Sequence, residues 1–118
     1  MVGKRKKEDA TRMASLHELA AFFAVLGDPC RLRIMHELKA NGPGTVNEIA
    51  TRTGVAQSNA SRQLKALHGA GFVARETEGV RVRYGMADAT LCQLCELAGS
   101  KLRARAERLS SAARKGGF

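Results

Sequence analysis

The sequence predicts one small, mainly α-helical domain with a single β-hairpin, and three observations predict it. Apolar residues recur at helical spacing through most of the chain. The period switches to two in one stretch around residue 80. Two short helical segments are joined through a glycine, the second of them with a polar outer face. A length of 118 residues, 44% of them hydrophobic, supplies one core and not two.

Taken in order, residues 1–13 are polar and basic without periodicity, Lys4, Arg5, Lys6 and Lys7 among them, and read as a flexible basic arm. The folded domain is expected over 14–109. Its first helix, 14–26, carries Leu16, Leu19, Ala20, Phe22, Phe23 and Leu26 at helical spacing. Gly27 ends it, Asp28 caps the next helix, and Pro29 suits the first helical position. That second helix runs to about Lys39, with Leu32, Ile34, Met35 and Leu38 turned inward. After the turn Asn41-Gly-Pro-Gly44, a hydroxyl at Thr45 followed three residues later by Glu48 is a capping box, opening a third helix over 45–52. Gly54 provides the left-handed turn to a fourth helix, Gln57 to His68, whose inner face is Ala60, Leu64 and Leu67. From Phe72 the period becomes two, and strands on either side of Glu78-Gly79 make the hairpin, with Val82 and Tyr84 on one face and Arg81 and Arg83 on the other. Asp88 then caps a last helix, about 88–108, bearing the stripe Leu91, Leu94, Cys95, Ala98, Leu102 and Leu109. Residues 110–118 read as a flexible tail.

Twenty Lys and Arg against eleven Asp and Glu leave a formal charge of +9, which favours a polyanionic partner, nucleic acid ahead of a membrane surface. No apolar run is long enough to span a bilayer, and no signal-peptide core follows the basic start, so a soluble, cytoplasmic protein without membrane association is expected. Three cysteines are an odd number, better suited to free thiols or soft-ligand chemistry than to structural disulfides.

Helix, helix, helix-turn-helix, hairpin, helix is the order of a winged helix-turn-helix domain. At Leu26-Gly-Asp-Pro-Cys-Arg-Leu-Arg-Ile34, Thr45-Val-Asn-Glu-Ile-Ala50, Gln57-Ser-Asn-Ala-Ser-Arg-Gln-Leu-Lys-Ala-Leu67, Gly71-Phe-Val73 and Glu78-Gly-Val-Arg-Val-Arg-Tyr84, the chain resembles the ArsR/SmtB family of bacterial repressors. The resemblance covers 14 to about 105. It implies a homodimer joined mainly through the first and last helices, which binds a palindromic double-stranded operator and releases it when a small inorganic inducer binds. Departures from the family are also informative. Thr45, Val46 and Asn47 stand where members with a metal site on the third helix carry cysteines. Of the zinc ligands used on the last helix only Asp88 is matched, with Thr90, Lys101 and Ala104 at the other places. Ala56 replaces the usual hydroxyl cap of the fourth helix, and Gln63 replaces a usual His.

The candidate DNA-binding residues are Gln57, Ser58, Asn59, Ser61, Arg62 and Lys65 on the fourth helix, with Arg81 and Arg83 on the hairpin. Amides and guanidinium groups pair bidentately with base edges, while hydroxyls and amines reach phosphates. A purely solvated face would usually carry Glu, yet no acidic residue lies between Thr51 and Arg75. The candidate ligands for a soft ion are Cys30, Cys92 and Cys95. Cys92 and Cys95 are three apart on one helix, and Cys30 lies in the first turn of another, where free N–H groups and the helix dipole suit a thiolate and Arg31 and Arg33 add positive charge. Three thiolates are what As(III) or Sb(III) takes; no resident cofactor is implied. The alternative is that the cysteines are small packing residues.

The expected function is an inducer-responsive transcriptional repressor sensing a thiophilic species. Persulfide or thiol-redox sensing on the same fold, or a non-sensing architectural DNA-binding protein, are the alternatives. An enzyme with a Cys nucleophile and His36 as base is disfavoured by the lack of a phosphate loop or nucleophile elbow, and His17, His36 and His68 share no ligand spacing.

Overall fold

The computed structural model describes residues 15–115, so the expected arm at 1–13 lies outside the described residues. Helix α1 covers 15–26. It is followed by α2 (Pro29–Asn41), β1 (Gly44–Thr45), α3 (Val46–Thr53), α4 (Gln57–Gly69), β2 (Val73–Glu78), β3 (Arg81–Met86) and α5 (Thr90–Lys115). The chain divides into two compact units between Ala87 and Asp88. The mainly helical architecture with a β-hairpin after α4 is the fold the sequence predicts.

Local chemistry sets the boundaries. Asp28 caps α2 by accepting the Cys30 N–H at 2.9 Å, with Pro29 at the first position. Thr45 and Glu48 form the reciprocal capping box of α3: the Thr45 hydroxyl accepts from the Glu48 N–H, and the Glu48 carboxylate accepts from the Thr45 N–H. Gly54 closes α3 at φ 73°, a left-handed conformation that a side chain would strain, and the chain turns from there into α4. At the hairpin tip Glu78 pairs with Arg81, leaving Gly79 and Val80 as a two-residue loop with Gly79 at φ 62°.

The core of the first unit is built where α2, α3 and α4 meet. Ile34, Ile49, Leu64 and Leu67 are fully buried, with Met35, Leu38, Ala60, Phe72, Val73 and Tyr84 around them. The α2 stripe is Ile34, Met35 and Leu38, and its next place toward the N-terminus falls at position 31. Leu32 therefore turns away and is 39% exposed instead of entering the core as expected, while Arg31 takes the stripe position. Phe22 of α1 packs edge-on against Phe72 with ring centroids 4.6 Å apart.

Two features extend the sequence reading. Gly44 and Thr45 pair with Tyr84 and Arg83, making a three-stranded antiparallel sheet in the order β1-β3-β2. In the second unit, α5 runs on through Lys115 instead of giving way to a flexible tail at Ser110. Ala112 and Ala113 favour helix, and no Gly or Pro intervenes before Gly116; residues 116–118 lie outside the described residues. Asp88 still assists the start of this helix, accepting the Thr90 N–H at 2.9 Å. Among the described residues no helix is long and apolar enough to cross a membrane.

The capping box makes a test of pH linkage. Hydrogen bonds from the Thr45 hydroxyl and backbone, then the charges of Arg83 and Arg52, hold the Glu48 carboxyl below its usual range. A depressed folded-state value means that the charged carboxylate contributes stability at neutral pH and that this contribution is lost as pH falls through the carboxylate range. In urea unfolding at fixed protein concentration, Glu48→Gln should be less stable at neutral pH, with the difference from wild type shrinking on acidification. Parallel stability profiles for the two proteins would show that Glu48 contributes no charge-dependent capping.

Candidate nucleic-acid interface

The interface is set up by what α4 buries. Ala60, Leu64 and Leu67 are sealed against α2 and α3, which forces the opposite side of the helix outward. Ser58, Arg62 and Lys65 stand exposed on that side, Gln57 is exposed at the first position of the helix, and Ser61 is half-buried at the edge. Ala56 provides no side-chain cap, and the first intrahelical bond is from the Ala60 N–H to the Ala56 carbonyl, so the N–H groups at the start of α4 have no intrahelical acceptor. These amides and the positive end of the helix dipole lie at the same end of α4 as Gln57 and Ser58.

Asn59 differs from its neighbours. It is half-buried, and its amide is committed within the protein. Its Oδ1 accepts from Arg62 Nη2 at 2.8 Å and from Gln63 Nε2 at 3.3 Å, while its Nδ2 donates to Cys30 Sγ at 3.8 Å. Gln63 in turn accepts from Arg31 Nε at 2.8 Å, and Arg31 Nη1 donates to the Val25 carbonyl at 3.2 Å. Asp28 lies 3.8 Å from the same guanidinium. Arg31, expected to support Cys30, thus spends its hydrogen bonds on Gln63 and on α1. The sequence offered one hint of this chain, the exchange at Gln63. It offered none that an arginine on α2 would meet it.

On the hairpin, Arg81 is exposed near the tip, whereas Arg83 is half-buried, its Nη2 donating to the Pro43 carbonyl at 3.2 Å. The Nε of Arg83 is buried without a hydrogen-bond partner among the described residues. Strand register adds something that alternation along one strand does not show. Glu78 lies directly opposite Arg81, and Glu76 opposite Arg83, so two carboxylates share the basic face. Val80 at the tip is fully exposed.

The three cysteines are free. Cys30 is half-buried one residue after the first position of α2, against Asn59. Cys92 is half-buried and Cys95 exposed, one turn apart near the start of α5. Among the described residues, no group of three or more His, Cys, Asp or Glu side chains is placed to hold a metal ion.

This arrangement has relatives. Residues 28–75, from the α2 cap to the third residue of β2, match the family described as "Bacterial regulatory protein, arsR family". The HTH-type transcriptional regulator CmtR of Mycobacterium tuberculosis is 37% identical over 75 residues, covering 64% of this chain and 63% of its own length, so the match spans less than two thirds of that relative. Among solved structures, a homodimeric winged helix-turn-helix DNA-binding domain from Mycobacterium bovis superposes with a TM-score of 0.70 at 33% identity, covering 78% of this chain and 84% of that one. The AntR antimony-specific transcriptional repressor superposes at 0.68 with 28% identity, over 80% of this chain and 85% of that one. With its α2-to-β2 segment matching the family pattern and most of a 33%-identical relative covered, the chain belongs to the arsR family of bacterial regulatory proteins.

Proposed function

We propose that the protein is a homodimeric transcriptional repressor that reads operator DNA with α4 and releases it when a thiophilic species, As(III) or Sb(III), binds its cysteines. The observation that carries the DNA reading is the outer face of α4. Gln57, Ser58, Arg62 and Lys65 are exposed together on a helix whose inner face is sealed, and no acidic residue interrupts that stretch of sequence. Such a face fits the major groove, where Gln and Arg read base edges and Ser61 and Lys65 reach the backbone. The net charge of +9 supplies the sequence-independent attraction.

Dimerisation is supported by the M. bovis domain and by apolar side chains left exposed on both terminal helices. Leu16, Leu19 and Phe23 on α1, and Leu97, Leu102 and Leu109 on α5, are each about half exposed or more. The inducer reading is supported by the i, i+3 pair Cys92 and Cys95, by Cys30 as third thiol, and by the antimony-specific relative. Release requires only that the inducer bind the DNA-free dimer more tightly, by about 1.4 kcal/mol per tenfold loss of DNA affinity.

The test of the reading helix is a fluorescence-anisotropy titration against a duplex selected by the wild-type protein from a random library. Replacing Arg62 or Gln57 by Ala should cost about 1 to 3 kcal/mol on that duplex and less on a scrambled one. Equal losses on both would reduce these side chains to backbone contacts.

On the hairpin, Arg81 and Arg83 act on the DNA backbone against the opposing charge of Glu78 and Glu76. Arg81→Ala should flatten the salt dependence by up to about one unit of slope, and Glu78→Gln should tighten binding to selected and scrambled DNA alike. Salt slopes unmoved by either change would take the hairpin off the DNA.

For the thiols, Cys92→Ser and Cys95→Ser should leave DNA affinity near wild type and abolish release by As(III) or Sb(III). A triple Cys→Ser protein that still dissociates on these ions would make the cysteines packing residues. Release by a persulfide or oxidant but not by either ion would move the function to thiol-redox sensing.

A further inference from the structure

We propose that Asn59 and Gln63 are positioning residues that hold Arg62 ready to read a base, and that Asn59 reads none itself. This rests on the reading of α4 as the DNA-reading helix and assigns its residues unequal parts.

The argument begins with the valence of an amide. A side-chain carbonyl oxygen has two lone pairs, and bidentate recognition of adenine by Asn needs that oxygen and the adjacent NH2 together. Here both lone pairs of Asn59 Oδ1 are taken, by Arg62 Nη2 at 2.8 Å and Gln63 Nε2 at 3.3 Å, and its Nδ2 is turned to the Cys30 sulfur. Meeting a base edge would break three hydrogen bonds and pull a half-buried side chain outward. Arg62 is in the opposite situation. It is exposed, one of its terminal nitrogens is fixed by Asn59, and the remainder of the guanidinium is free to donate outward. An unrestrained arginine loses rotamer freedom on binding; one already held by a neighbour loses less, so affinity is gained by preorganisation.

What holds Asn59 lies off the helix. Gln63 donates to it and accepts from Arg31 Nε at 2.8 Å, and Arg31 is fastened to the Val25 carbonyl of α1 at 3.2 Å. The line Val25–Arg31–Gln63–Asn59–Arg62 therefore sets one reading side chain of α4 against the junction of α1 and α2. Gln63 is half-buried on the flank of α4 with its amide engaged by Arg31 and Asn59, so its effect on DNA passes through Arg62.

The proposal predicts non-additivity, the signature of residues acting through one another. Asn59→Ala, Gln63→Leu, Arg62→Ala and the two double variants with Arg62→Ala would be titrated, as the full chain, against the library-selected duplex and its scrambled counterpart. Circular dichroism and thermal melting would report the fold. Asn59→Ala and Gln63→Leu should each lower discrimination between the two duplexes severalfold, and neither should lower it further once Arg62 is alanine. Losses that multiply in the double variants would overturn the proposal and make Asn59 a reader in its own right. Discrimination unchanged by Asn59→Ala or Gln63→Leu would also overturn it. Should Asn59→Ala fail to fold, the Gln63→Leu cycle carries the same test. An Arg62→Ala protein that discriminates as well as wild type is a separate result: it would remove Arg62 from the reading of bases, and this proposal with it.

Discussion

The arrangement of the first unit depends on the burial of four side chains, Ile34 from α2, Ile49 from α3, and Leu64 and Leu67 from α4, none of which retains any exposed surface. Each contributes on the order of 1.5 to 3 kcal/mol by leaving water. A helix such as α4, with polar side chains along its outer face and no side-chain cap, has little local reason to form or to stay put. Its position is dictated from behind. Ala60, fully buried and carrying only a methyl group, lets the helix approach its neighbours closely, and the leucines one and two turns later fix its rotation about its own axis. The outward direction of Ser58, Arg62 and Lys65 follows from that rotation, and Gln57 is exposed where the helix begins.

Charge is arranged with less freedom than the net +9 suggests. Across the hairpin two basic positions meet acidic ones in register, Glu78 with Arg81 and Glu76 with Arg83, while Arg75 lies opposite Tyr84; Arg83 is further occupied by the Pro43 carbonyl. On α4 no such opposition exists within the stretch from Arg52 to Ala74. Two surfaces that look equally basic along the sequence therefore differ in the field they present. On the proposed function, specific contacts fall to the helix and the hairpin takes a moderated, backbone-directed part.

Much of this is legible in the sequence. The helix boundaries at Asp28-Pro29, Thr45-Val-Asn-Glu48 and Gly54 could be read because each depends on a local hydrogen bond or a backbone angle encoded within four residues. Strand β1 could not, since two residues carry no period and exist as a strand only by pairing with Tyr84 and Arg83, some forty positions away. The same distinction separates the site residues. The exposed positions of α4 follow from helical period and the buried stripe. That Arg31 reaches Gln63, 32 residues along the chain, and that Asn59 turns inward follow from how α2 crosses α4, which no local pattern encodes. Leu32 departs from the expected core for a related reason: the apolar stripe of α2 is completed by an arginine, which hydrophobicity alone does not mark.

The thiols acquire unequal standing from the same geometry. Cys92 and Cys95, one turn apart on α5, suit a shared soft ion. Cys30 is bonded to the reading helix, through the Asn59 amide. On the proposed function, an ion bound to the Cys30 sulfur would compete with that amide for the sulfur's electrons, and Asn59 is the group whose oxygen holds Arg62. Linkage then requires reciprocity: if the ion lowers DNA affinity by some factor, DNA lowers affinity for the ion by the same factor. A preorganised Arg62 and an unoccupied Cys30 would be two aspects of one state of the protein. The energy separating that state from the released one has to be found in a few hydrogen bonds of about 1 kcal/mol each.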